Sequence, residues 1–169
     1  FPAAGQGGDF DAIARVPAER FRRAWEGSPR KILRRRCAQC DPSHRDVFYR
    51  RFDADGRLPP SFDLLDAVTD NWFDRPDNVF NVHFALYSAY RDARDDVRRW
   101  TYCTFNDPGV GFPRDCGPDG PSVGNWNAFR REPDRFHVGF FLDLTGATLP
   151  PTQVPSAAPA PPLPSPSSA

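Results

Sequence analysis

The last twenty-one residues, Leu149 to Ala169 (LPPTQVPSAAPAPPLPSPSSA), carry no charge and are almost wholly Pro, Ala, Ser and Thr. Such a string cannot build a compact domain. It has too little apolar side chain to offset the entropy of ordering, and its prolines lack the N–H that helix and sheet ladders need. It predicts an extended polyproline II tail rising about 3.1 Å per residue, so twenty residues reach roughly 60 Å. Any order in it must be borrowed, from attached sugar or from a neighbouring subunit. Ahead of it, residues 13–148 have the length of one domain with a real core. Residues 1–12, opening FPAAGQGG, read as a flexible N-terminal arm.

The domain is rich in aromatics, with fifteen Phe, four Trp and four Tyr in the whole chain, so it has the means to fold. Basic and acidic residues balance at 22 each, which argues against a dedicated nucleic-acid or membrane-surface protein. No apolar run is long enough for a membrane span. The absence of Met fits a processed N-terminus, and a removed signal peptide would place the protein in an oxidising compartment. The cysteines agree. Four of them, Cys37, Cys40, Cys103 and Cys116, suit two disulfides, either Cys37–Cys40 with Cys103–Cys116 or the first pair crossing to the second. Zinc is the rival, but the second pair lacks a tight knuckle and no His stands at ligand spacing. A redox C-x-x-C would open a helix, whereas Asp41-Pro42 marks a turn.

Along the domain, Ile13 to Glu26 predicts a short helix starting near Pro17, with Phe21 and Trp25 on one face. Ser28-Pro29 ends it. Asp46 to Phe52 has strand composition, and Ser61 to Phe73 has near-helical spacing with Ser61 as N-cap. Val79 to Tyr90 alternates Phe80, Val82, Phe84 and Leu86 against polar or small neighbours, the period of a half-buried strand. Trp100 to Phe105 alternates again, Asn106 to Gly124 is a long Gly/Pro/Asp loop, and Phe136 to Leu144 is a closing strand. The expected fold is mainly β and sandwich-like, with one or two short helices, long disulfide-stapled loops and the polyproline tail.

Catalytic signatures do not emerge. There is no G-x-S-x-G, H-E-x-x-H or Walker loop, and paired cysteines leave no thiol nucleophile. Asp53-Ala-Asp-Gly56 opens like a calcium loop but puts Leu64 where a bidentate Glu is needed. His83 and His137 fall in predicted strands, where one satisfying hydrogen bond is the commoner role. The expectation is no catalytic residue, no metal and no cofactor. Arg30 to Arg36 (RKILRRR) could meet an anionic polymer, the charged face of an edge strand being the plainer reading. Trp126 in GNWN has the setting of a sugar-stacking platform, against core packing as the commoner role of a Trp.

The Ala-Pro and Ser-Pro alternation of the tail, with its Pro-Pro pairs, resembles the hydroxyproline-rich glycoproteins of green algae and plants. The resemblance covers Pro150 to Ser168 only. It implies secreted proteins whose rods are hydroxylated and O-glycosylated and which build walls, sheaths and surface filaments. By that resemblance Pro150, Pro151, Pro155, Pro159, Pro161, Pro162, Pro164 and Pro166 are sugar-bearing candidates, with Ser156 and Ser165 as weaker ones. The expected function is a secreted structural subunit assembling head to tail into an extracellular fibre or coat. Its partners would be copies of itself and covalent O-glycans, without nucleic acid or membrane span. The alternatives are a carbohydrate-binding or adhesion module on a stalk and, behind it, a secreted hydrolase.

Overall fold

The computed structural model describes residues 1–7, 10–131 and 135–147, so the tail and its candidate glycosylation sites lie outside the described residues. Six strands form one antiparallel sheet: β1 (Pro2–Gly7), β2 (Phe10–Arg15), β3 (Ile32–Cys37), β4 (Asp46–Arg51), β5 (Phe84–Tyr87) and β6 (Val138–Leu142), in the order β2-β1-β6-β3-β4-β5. Among the described residues three α-helices accompany it: α1 (Ala18–Gly27), α2 (Leu64–Thr69) and α3 (Tyr90–Asp95). The mainly β expectation holds at this level. All six strands belong to one sheet, and the layer facing it is made of α1, α2 and irregular chain where a sandwich would have strands.

Register explains the core. Rows of side chains cross the inner face, Ala4–Phe140–Arg35–Val47 and Leu142–Leu33–Tyr49–Leu86. Phe21 and Trp25 of α1, Leu64, Leu65 and Val68 of α2, and Trp72, Trp100, Phe105 and Phe112 from the connections pack on these rows. Trp72 is the hub, with ring centroids 4.8 Å from Phe112, 5.1 Å from Phe105 and 5.3 Å from Phe84. Fully burying one such ring contributes roughly 1.5–3 kcal/mol. On the outer face a smaller cluster of Ile32, Phe48, Ala85 and Tyr87 is covered by Ala93 of α3 and by Phe52.

Several sequence expectations need correcting. The arm is not loose, because Pro2–Gly7 is a strand hydrogen-bonded between β2 and β6. Small residues let this strand lie flat on the core, and Ala3 and Ala4 are buried. The basic run is not an edge strand: β3 runs between β6 and β4, with Arg35 inward and Arg36 exposed. The alternating stretch from Val79 yields only β5, whose four residues are all buried because α3 covers the second face. Val82, expected inward, is 58% exposed. Asp63, not Ser61, caps α2, accepting the Asp66 N–H at 2.9 Å. Trp100 to Phe105 forms no strand beyond a lone bridge between Tyr102 and Gly117. His83 and His137 both lie outside the strands.

Candidate functional site

All four cysteines are disulfide-bonded, Cys37 to Cys40 and Cys103 to Cys116, the first of the two pairings expected. The first closes the turn after β3 and the second staples the long loop beneath it. Among the described residues no group of three or more His, Cys, Asp or Glu is placed to hold a metal, and no helix is long and apolar enough to cross a membrane.

The long loop is fastened to the sheet by buried polar groups. Arg35, 1% exposed, donates from Nε to the Asn127 side-chain oxygen at 3.0 Å and from a terminal nitrogen to the Asn125 carbonyl at 2.7 Å. It also reaches the His44 carbonyl and the Cys40 sulfur, each at 3.4 Å. Burial, with Arg135 nearby, pushes the Arg35 guanidinium down to about 9. Asn125 accepts the Asp41 N–H at 3.0 Å and donates to the Asp41 carboxylate at 3.0 Å, locking the cysteine turn to the loop. Asp70, just past α2, is also buried, and its carboxylate accepts the N–H groups of Phe129 and Arg130, both at 2.8 Å. Gly111 passes so close that a Cβ there would lie 1.6 Å from the Asn127 carbonyl oxygen. His44, fully buried, packs against Trp100 with centroids 4.9 Å apart and the rings tilted at 50°, and donates from Nε2 to the Cys116 carbonyl at 2.8 Å. Burial lowers its pKa, against the opposing pull of that carbonyl.

Trp126 sits between two of these anchors. Asn125 and Asn127 are both fully buried, while Trp126 is half-buried and belongs to neither apolar cluster. The loop therefore holds a half-buried indole between two fixed points. Val123, 71% exposed, precedes it on the same segment.

A second concavity lies on the outer sheet face. A groove of about 500 Å³ is lined by Ile32, Phe48, Tyr90, Phe141, Leu142 and Thr145, with Arg34 and Asp143 at its rim. Its charges are already engaged. Arg34 pairs with Asp46 at 2.6 Å, and Asp143 accepts from the Tyr90 hydroxyl at 2.9 Å and from Arg30 at 3.5 Å. Burial works to raise the Asp143 carboxyl, but the Thr145 N–H, the Tyr90 hydroxyl and Arg30 hold it below its ordinary value. The surface left for a ligand is aromatic and neutral.

A third cleft of about 440 Å³ beside α1 contains Lys31, the chain's sole lysine. Its ammonium donates to the carbonyls of Trp25 and Glu26, both at 2.8 Å, and so satisfies the C-terminus of α1. Burial lowers its pKa. Arg22 in the same cleft is spent on carbonyls of residues 58–62.

Of the residues singled out in the sequence, the structure joins each cysteine pair and leaves Trp126 half-buried. Those it brings to prominence are Arg35, read in the sequence only as part of the basic run, and His44, Asp70 and the groove aromatics Phe48, Tyr90 and Phe141, which the sequence passed over. The chain matches no known family model, no curated protein and no solved structure.

Proposed function

We propose that this chain is a module of an extracellular structural glycoprotein that assembles head to tail, the Pro-rich tail being the connector. The observation that carries this reading is where the tail begins. An uncharged segment of twenty-one residues begins at Leu149, separated by residues 143–148 from β6, a strand flanked by β1 and β3 and hydrogen-bonded to both. The strand nearest to the connector in sequence is thus an interior strand of the sheet, not an edge strand. Two disulfides and the lack of a membrane-crossing helix among the described residues are compatible with a secreted protein. Sugar on Pro150 to Pro166 would stiffen the rod, as the resemblance of the tail implies. Electron microscopy of the purified protein and intact mass against the 19.0 kDa polypeptide test it together. Filaments and a large mass excess are expected. Monodisperse monomers at high concentration with an unmodified tail would overturn it.

A second reading, a carbohydrate-binding module on a stalk, is favoured by one feature, the half-buried Trp126 fixed between buried Asn125 and Asn127. Rigid presentation of an aromatic face is what sugar stacking requires. Glycan-array binding abolished by Trp126→Ala would support it, and an array without signal would remove it.

A further inference from the structure

We infer that the aromatic groove on the outer sheet face is the receptor for the Pro-rich tail of a neighbouring copy; the inference rests on the assembly reading above and names its contact. Three observations lead there. The groove presents Tyr90 and Phe141 around Ile32 and Phe48, with Tyr90 edge-on to Phe48 at 6.0 Å between centroids. Aromatic-lined grooves are what polyproline II segments dock into, because the rod arrives preordered and offers apolar ridges. The rim charges are paired within the domain, so an uncharged ligand meets no unpaired ion there, and the tail carries no charge. The volume, about 500 Å³, is that of a ligand site.

The third observation concerns where the chain leaves. Thr145 lines the groove, and the described residues end at Ala147. At about 3.1 Å per residue the twenty-one residues from Leu149 to Ala169 reach roughly 60 Å, far enough to lie in the groove of a neighbouring copy. With three residues per turn, Ala160, Leu163 and Pro166 share one ridge of the rod, and Leu163 is its large apolar side chain. Groove and tail are different surfaces of one molecule, so the contact is heterologous and propagates.

The test titrates a fluorescently labelled, unmodified peptide of residues 149–169 into the full-length protein and follows anisotropy. Saturable binding is expected, weakened about tenfold or more by Tyr90→Ala. Thr145→Arg, an exposed change at the rim, should weaken it likewise, so the result does not hang on one variant folding. Val97→Ala, an exposed site outside the groove, should leave binding unchanged, and a Leu163→Asp peptide should bind poorly. No saturable binding, equal effects of Tyr90→Ala and Val97→Ala, or competition by soluble glycans in place of peptide would overturn the proposal. Cross-linking of mixed isotope-labelled and unlabelled full-length protein should give tail-to-groove links between the two species; links confined within one species would also overturn it. Filaments that persist unchanged in Tyr90→Ala sink the groove and leave the assembly reading standing. A protein that binds the peptide yet stays monomeric sinks the assembly reading instead.

Discussion

Buried polar side chains decide where the irregular half of this domain lies. Arg35 spends its donors on neutral acceptors from the cysteine turn and the long loop, so Arg35→Ala would leave several buried acceptors unpaired. We expect a loss of about 2–4 kcal/mol in urea unfolding, by the cost of orphaned buried groups. Gly111 is a sharper case. A Cβ would meet the Asn127 carbonyl oxygen at 1.6 Å, so Gly111→Ala should cost about 3 kcal/mol or more, whereas Gly120→Ala, with open space around it, should be nearly neutral. His44 sets a pH dependence. Burial holds its folded pKa below the unfolded value of about 6.5, so its neutral form contributes stability above that pH. That contribution is lost as pH falls from about 6.5 through the lower folded value, since the unfolded chain binds the proton first. Denaturation midpoints at descending pH should drop in that window, and His44→Gln should flatten the slope. Asp96, held down to about 2 chiefly by its hydrogen bond to Arg99, acts only in stronger acid.

At the scale of elements, the two staples are unequal. Cys103–Cys116 spans thirteen positions and Cys37–Cys40 three, so loop-closure entropy gives about 3 kcal/mol for the first and about 2 for the second. Replacing Cys103 and Cys116 by Ser should lower the thermal midpoint more than replacing the first pair, as calorimetry would read. Some elements were legible locally. Helix α1 follows from Phe21 and Trp25 at i, i+4 between Pro17 and Ser28-Pro29, and β4 and β6 follow from composition. Strands β1 and β5 were not. Pro2–Gly7 has no strand propensity and is a strand because β6 and β2 supply its hydrogen bonds. The alternation before β5 misleads because α3 returns to cover the second face, which removes the polar side that a period of two assumes.

At the scale of the whole molecule, the sheet has a packed inner face and an outer face partly covered by α3, whose Tyr90 joins Phe48 and Phe141 in lining the groove. Ending the chain after Ala147 should abolish self-association while leaving near-ultraviolet circular dichroism unchanged, a pair of measurements that separates a connector from a folding element. The sequence by itself determined that Leu149 to Ala169 is uncharged and Pro-rich, that the remainder is aromatic-rich with an even number of cysteines, and that Trp126 stands among Gly and Asn. Those conclusions need only composition and local stereochemistry. Only the tertiary structure decided that Arg35 points inward, that Asn125 and Asn127 are anchors with Trp126 held between them, and that Phe48, Tyr90 and Phe141 meet in one groove. Each joins residues tens of positions apart, and strand register, which brings them together, is fixed by which apolar faces can be buried at once.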